Sequence, residues 1–230
     1  MRLQWALQIT TGTSMRREGA DILVKERPEL LLFCGAVGLI GNLAPLATFV
    51  LATVVAQHDI VSDTISDLAR GPHKWIMDGG FYMHAAGLLA LAIASAHTHL
   101  GRTGWSAGLI CLALLALVVV LLGLWDELQP DAENSFDMTV HTKLTFLLGP
   151  LYLAGPILMA RGAATVHRGY GAAFLAASAL WIVFAIAFKL SPTAYDGIVE
   201  KTAVAATMFW TSPLAFIFLA RGYSRRHRIT

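Results

Sequence analysis

Two histidines lie within apolar segments of the sequence and several aspartates lie where such segments begin or end, and these side chains can do acid–base or metal chemistry. His84 lies inside an apolar segment, six residues after Asp78, and is therefore roughly 9 Å deeper at 1.5 Å per residue of helix. A titratable group inside an apolar span is costly unless polar partners face it. We therefore predict that His84 meets such partners, either in a ligand pocket or as a hydrogen-bonded packing residue.

Asp137 and His141 are spaced four residues apart, at the start of another apolar segment. On a helix this spacing lets the carboxylate meet the imidazole on one face, which is how a general base or a metal ligand is oriented. The alternative is a carboxylate at a helix N-terminus beside an interfacial histidine. If the protein is an enzyme, His141, Asp137 and His84 are the candidate catalytic residues.

A third group of acidic residues, Asp59, Asp63 and Asp67, follows the first apolar segment at intervals of four. If this stretch is helical, the three carboxylates share one face, as in a short helix lying on a membrane surface, and Gly71-Pro72 ends it. We predict that the piece roofs a partly buried polar pocket on the outer side. The predicted pocket residues are Asp63, Asp67, Asp78, His84, Asp126, Asp137 and His141. Arg70, Lys74 or Lys143 would balance these charges if the cluster is instead a structural salt-bridge network.

The same side chains leave the question of a cofactor open. His84, His141, Asp67 and Asp78 are candidate ligands of zinc or another metal, because imidazole and carboxylate suit such ions, although no HExxH spacing fixes two of them on one helix. A haem held between His84 and His141 is a further alternative. The sequence contains no serine nucleophile elbow, no phosphate-binding glycine loop and no CxxC pair.

The composition determines which class of protein must position these residues. Hydrophobic residues make up 56% of the 230 and charged residues 14%, with a mean hydropathy of +0.62. A soluble domain carries about 25% charged residues, so the deficit indicates an integral membrane protein. The formal charge of +2 is too small to indicate nucleic-acid binding. Cys34 and Cys111 lie in apolar segments and are predicted to be buried free thiols.

Six apolar segments, each near or above the ~20 residues that cross a bilayer as a helix, predict an all-α integral membrane protein with one six-helix bundle. Their approximate bounds are Leu30–Ala56, Ile76–Ala96, Trp105–Trp125, Met138–Ala160, Tyr170–Phe188 and Ile198–Ala220. The segments lack the alternation of a membrane barrel. Within the first segment, Gly35, Gly38 and Gly41 suit close helix packing, and Asn42 is predicted to form an interhelical hydrogen bond.

Basic residues are concentrated in the alternate loops and at both termini, whereas acidic residues are concentrated in the other loops. Because Lys and Arg mark the cytoplasmic side, we predict that both termini are cytoplasmic and that the chain is a multi-pass protein of the bacterial inner (cytoplasmic) membrane. The predicted organisation is a leader over 1–28, a transmembrane domain over 29–221 and a basic tail over 222–230. Translation can start at Met1 or at Met15.

Short motifs after the first span resemble a bacterial family of membrane proteins catalogued as domain of unknown function 998. They are Ser62-Asp63-Thr64-Ile65-Ser66-Asp67-Leu68, then Gly71-Pro72, then Trp75-Ile76-Met77-Asp78-Gly79-Gly80, and the six-span layout covers about residues 30–221. The family is polytopic and has no established activity. The resemblance therefore implies the fold and a membrane location, and it assigns no catalytic residue.

Three classes of function remain open. The first is a non-catalytic protein that binds a lipid or small molecule at its outer face, in contact with the lipid bilayer. The second is a membrane-embedded hydrolase, with or without a metal, that acts on a lipid or lipid-linked substrate with His141 as base. The third is a bis-histidine haem electron carrier.

Overall fold

A computed structural model of the chain describes residues 26–101, 103–124 and 140–227. Within these ranges the chain forms seven helices and no strand. The helices are α1 (Pro28–Ala56), α2 (Ile65–Leu68), α3 (Lys74–Thr98), α4 (Thr103–Gly123), α5 (Val140–Val166), α6 (Arg168–Leu190) and α7 (Asp196–Arg226). All except α2 are long and apolar enough to cross a membrane, as the sequence predicts.

The six long helices form a closed ring in which each packs against its neighbours in the chain, and α7 returns to pack against α1. Successive helices therefore run in opposite directions, and the bundle has two ends. We call the end that carries α2 and residues 57–73 the α2 end, and the opposite one the terminal end. Fully buried large side chains, including Trp105, Phe174 and Phe218, fill the terminal half.

Close packing between α1 and α3 depends on small residues. A Cβ at Gly41 would collide with the backbone of Met83 and come within 3.0 Å of Gly87 on α3, so only glycine permits this approach. Gly35 and Gly38 lie against the side chains of Leu219 on α7 and Leu91 on α3, respectively. Asn42, 2% exposed, bonds to Ser212 and Thr211 of α7, which confirms the predicted interhelical hydrogen bond. The two cysteines are buried and unbridged, also as predicted.

Some boundaries differ from the sequence prediction. Helix α5 continues past Ala160 to Val166, and α7 continues past Ala220 to Arg226, so residues 222–226 of the predicted tail are helical. The C-terminal extensions of α5 and α7 both contain arginines, which are tolerated because a long side chain can reach the membrane interface from within a helix. At the terminal end, for example, Arg221 donates to the carboxylate of Glu26 at 2.5 Å.

The stretch from Asp59 to Asp67 is not one helix, so the prediction that its three aspartates share a helix face is wrong. Only Ile65–Leu68 is helical, and turns precede it. The physical reason is that short carboxylate side chains compete for nearby backbone amides. Asp59 accepts from Val61 N–H at 2.8 Å, and Asp63 accepts from Asp59 N–H at 2.9 Å. Asp67 accepts from Thr64 N–H at 2.8 Å and so forms a capping box that begins α2.

Candidate functional site

The α2 end of the ring encloses a cavity of about 120 Å³, here called the inner cavity. Helix α2 and the residue that follows it cover the cavity with Ile65, Ser66 and Ala69, while the long helices provide the walls. Its polar lining consists of Ser66, His84, His141, Thr145, Tyr152, Glu200 and Thr207, and Trp181 also contributes. The rest of the lining is apolar, including Phe81, Val119 and Leu122. Two histidines on different helices, α3 and α5, thus border one small volume.

His84 is held by hydrogen bonds at both ring nitrogens. Its Nδ1 lies 3.1 Å from the carbonyl oxygen of Gly41, and its Nε2 lies 3.1 Å from the Tyr152 hydroxyl. The Gly41 carbonyl needs a donor from outside its helix, because residue 45, which would normally donate to it, is a proline. A carbonyl can only accept, so Nδ1 carries the proton and Nε2 accepts from Tyr152. His84 therefore joins three helices and has no lone pair left for a metal or a haem iron.

His141 lies in the first turn of α5, and its Nε2 is 3.1 Å from the hydroxyl oxygen of Ser66 on α2. The pair is half-buried and borders the inner cavity on one side. It also borders a second, larger volume on the other side. A serine hydroxyl within hydrogen-bonding distance of an imidazole is the arrangement from which nucleophilic catalysis starts.

The second volume, here called the lateral groove, measures about 770 Å³ and lies between α5, α6 and α7. Its polar end is at α2 and contains hydroxyls and charges of both signs, from Thr64, Ser66, Asp67, Arg70, His141, Thr142, Lys189 and Glu200. The remaining lining is apolar, including Phe146, Leu153, Ile182 and Ile186. Lys189 extends its ammonium over the Phe146 ring, 5.7 Å from the centroid, and over the Phe188 ring at 5.5 Å.

Helix α2 is held over the cavity by the first two turns of α7. Glu200 accepts a hydrogen bond from the Ile65 amide at 2.6 Å, and Lys201 donates to the Ile60 carbonyl at 2.9 Å and to that of Asp63. The Ile198 amide donates to Val61 O at 3.0 Å. The position of Ser66 is therefore determined by α7 as well as by its own capping box.

Of the predicted pocket residues, the structure brings His84, His141 and Asp67 to the two volumes. Asp63 lies outside both and pairs with His58 at 3.3 Å. Asp78 also lines neither volume, and its carboxylate is 3.6 Å from Lys74. Asp126 and Asp137 lie outside the described residues. The five described members of the predicted cluster are therefore divided between the two volumes, the loop and the beginning of α3.

The electrostatics of Asp63 follow from its role in the loop. The backbone N–H of Asp59 and the Ser62 hydroxyl both donate to its carboxylate, and they hold the pKa of Asp63 below its usual value. Partial burial opposes this shift, while the nearby charges of His58 and Lys201 reinforce it. The carboxylate is thus stabilised in its ionised form as part of the loop architecture.

No group of three His, Cys, Asp or Glu side chains with a metal-binding arrangement occurs within residues 26–101, 103–124 and 140–227. Of the metal-ligand candidates, His84 is engaged at both nitrogens and Asp78 is beside Lys74. His141 and Asp67 remain near each other at the groove, which is fewer protein ligands than a zinc site uses.

The pocket predicted from the sequence did not include Ser66, Tyr152, Glu200 or Lys201. Glu200 and Lys201 could have been predicted as site residues, because adjacent charges one turn inside an apolar helix require polar partners. Ser66 and Tyr152 could not have been predicted from a local pattern, since their partners are 75 and 68 residues away in the chain.

The ring of six apolar helices defines a polytopic α-helical membrane protein. Within that class, the chain belongs to the family described as "Protein of unknown function (DUF998)", whose model matches residues 39–217. The match includes α2, the inner cavity and the lateral groove. No curated protein and no solved structure matches the chain.

Proposed function

We propose that the protein binds one amphiphilic molecule of the bilayer, with the polar part at α2 and the hydrocarbon part in the lateral groove. The observation that carries this proposal is the polarity gradient along the groove, from the charged and hydroxyl groups around Ser66 to an apolar lining that includes Leu153 and Ile182. Pockets for small molecules typically measure 300–1,000 Å³, and the groove lies in this range at about 770 Å³.

The depth of the groove fits an acyl chain of one leaflet. On α5 its lining extends from His141 to Leu153, which is about 18 Å at 1.5 Å per residue. On α6 it extends from Trp181 to Leu190, or about 14 Å by the same rise. Half of a hydrocarbon core of ~30 Å is about 15 Å. An amphiphile bound here reaches from the interface to the middle of the membrane.

The orientation prediction places the groove in the outer leaflet of a bacterial inner membrane. Its support is the clustering of basic residues at the terminal end, where Arg225 and Arg226 lie in the last turn of α7, and Arg161 and Arg221 lie within about two turns of the ends of α5 and α7. A single cysteine introduced at position 63 tests this orientation in intact cells. We expect a membrane-impermeant maleimide to label D63C from outside, and labelling only after lysis would reverse the orientation.

Two glycines offer a matched pair of variants for testing the groove. A Cβ added at Gly149 or at Gly79 meets no atom within 4 Å, so both helices accept a side chain there. Gly149 lines the groove, whereas Gly79 on α3 lines neither volume. A tryptophan at position 149 therefore competes with a bound chain, and one at position 79 serves as the control.

The experiment uses the full chain in nanodiscs that contain a phosphatidylethanolamine with a photoactivatable diazirine in its acyl chain. We expect crosslinks, mapped by mass spectrometry, at groove residues such as Ile182 and Ile186. G149W should reduce these crosslinks about tenfold, and G79W should leave them unchanged. Equal crosslinking in the two variants, or crosslinks spread evenly over the outer faces of the helices, would contradict the proposal.

Of the other classes of function, the hydrolase has a specific observation in its favour, namely the contact between Ser66 and His141. The haem carrier has none among the described residues, because both nitrogens of His84 are engaged by Gly41 and Tyr152. Visible absorption of the purified protein tests that alternative directly, since a bound haem gives a Soret band.

A further inference from the structure

We propose that Ser66 and His141 act as nucleophile and general base on a carboxylic ester of the amphiphile held in the lateral groove. This inference rests on the proposed function and names the substrate class, a glycerolipid or another lipid ester. It starts from the 3.1 Å separation of Ser66 Oγ and His141 Nε2, which is within the hydrogen-bonding range of nucleophile–base pairs.

Both members of the pair are held by rigid elements. Ser66 lies on α2, whose start is determined by the capping box of Thr64 and Asp67 and by the hydrogen bond from Ile65 N–H to Glu200. His141 lies in the first turn of α5. A serine on a short helix that is tied to α7 has little freedom to leave the imidazole, which is the preorganisation that general-base catalysis requires.

The location of the pair matches the position of an ester. Ser66 and His141 border the lateral groove at its polar end, with Arg70 and Lys189 beside them and the apolar lining deeper in the membrane. In a glycerolipid the ester groups lie between the headgroup and the hydrocarbon chains. A lipid with its chain in the groove therefore presents an ester carbonyl at the depth of Ser66, and its phosphate at the depth of the two cations.

The chemistry needs only the ester and water. Ser66 Oγ attacks the ester carbonyl carbon while its proton passes to His141 Nε2. The C–O bond to the alcohol then breaks, the alcohol oxygen takes the proton back from His141, and the acyl group remains on Ser66. Water, deprotonated by His141, then attacks the carbonyl carbon of this acyl–serine; the bond between that carbon and Ser66 Oγ breaks, Ser66 Oγ takes the proton from His141, and the fatty acid is released. Both steps leave His141 and the overall charge unchanged.

The other buried histidine provides an internal contrast. The partners of His84 are a backbone carbonyl and a phenol, and its Nε2 is the acceptor of the phenol hydroxyl. Its Nδ1–H donates to the carbonyl of Gly41, which has no donor within its own helix because residue 45 is a proline. His84 thus ties helices together, while His141 faces both the groove and a serine.

Ser62 provides a matched control for Ser66. It lies in the turn that precedes α2, and its hydroxyl donates to the Asp63 carboxylate at 3.0 Å, outside the groove. The full chain in nanodiscs is treated with a fluorophosphonate, which forms a stable adduct with activated serines, and the adduct is measured by intact-protein mass spectrometry. We expect one adduct on Ser66 in the wild type and in S62A, and none in S66A. H141Q should slow labelling by about 100-fold or more, the usual contribution of a general base.

A second pair of variants keeps the test decisive if S66A folds poorly. S66C should react with iodoacetamide faster than S62C, and H141Q should remove the difference, because an imidazole beside a thiol favours the thiolate. Absence of an adduct in wild type, labelling that persists in S66A, or equal rates for S66C and S62C would overturn the inference.

The lipid crosslinking assay separates this inference from the proposed function. Crosslinks in the groove without any Ser66 adduct leave amphiphile binding intact and refute the catalytic pair. A Ser66 adduct without crosslinks in the groove refutes both the groove and the membrane substrate, since Ser66 would then act on an ester from water.

Discussion

Replacing Glu200 with alanine should release α2 from its position over the inner cavity. The Glu200 carboxylate accepts a hydrogen bond from the Ile65 backbone N–H at 2.6 Å, and this contact holds the beginning of α2 to α7. Ala69, 3% exposed, directly follows α2 and lines the cavity on its covered side. A cysteine at position 69 therefore reacts with a water-soluble maleimide only when α2 moves away.

The size of the effect follows from the hydrogen bond that is lost. A hydrogen bond to a charged group contributes about 1.5–3 kcal/mol, and one between neutral groups about 0.5–1.5 kcal/mol. Since about 1.4 kcal/mol is a factor of ten at 25 °C, loss of the charged bond raises the open population about 10- to 150-fold, and loss of a neutral one about 2- to 10-fold. The lower part of each range applies if the Lys201 contacts to Ile60 and Asp63 keep the loop in place.

The assay measures the labelling rate of A69C in a background in which Cys34 and Cys111 are alanine. We expect E200A to label faster by the factors above, and E200Q to be intermediate because its amide oxygen still accepts from Ile65. Asp196, an acidic residue one turn earlier on the same helix, makes no hydrogen bond to α2 in the described part of the chain, so D196A is the control. Equal rates for E200A and D196A would refute the view that Glu200 closes the cavity.

Three further predictions concern the stability of the bundle and its loop. Tyr152→Phe removes the donor to His84 Nε2 and should lower the free energy of unfolding by about 1–3 kcal/mol, the cost of a buried acceptor without a partner; an unchanged value in an SDS titration would contradict the assigned hydrogen bond. A double-mutant cycle of Asn42→Ala and Thr211→Ala should give a coupling energy of about 0.6–1.7 kcal/mol in the same assay, because their direct bond measures 2.7 Å; a coupling of zero would mean that the bond contributes nothing. The lowered pKa of Asp63 means that its carboxylate stabilises the loop above the ordinary aspartate value of about 3.9, and that this contribution is lost as the pH falls through the lowered folded value. A carboxyl ¹³C NMR titration should therefore show a midpoint below about 3.9, and D63N should abolish this pH dependence of loop stability.

The sequence predicts the membrane-spanning helices of this protein better than it predicts the candidate site. The long apolar runs predicted six helices, because a chain in lipid must satisfy its backbone groups within each helix and needs about 20 residues to cross. The sequence also identified residues that need polar partners because their burial in an apolar span costs free energy. Asn42 in mid-span had to find an interhelical partner, and His84 had to find polar ones.

The conformation of the Asp59–Asp67 stretch was not predictable from its spacing alone. A four-residue interval is compatible with a helix face, yet the aspartates bond to nearby amides instead, and α2 is only four residues long. A short segment has too few internal hydrogen bonds to impose a helix, so its contacts with Glu200 and Lys201 decide where it lies.

By itself, the sequence determined the membrane class, the number of spans, the buried thiols and the residues that required polar partners, because each of these follows from the local cost of placing a group in lipid. Only the tertiary structure decided which partners they received. The contacts between Ser66 and His141, His84 and Tyr152, and Ile65 and Glu200 join residues 75, 68 and 135 positions apart. Such pairs arise when the ring of helices closes, because the packing of whole helices, and no pattern along the chain, brings their side chains to the same depth.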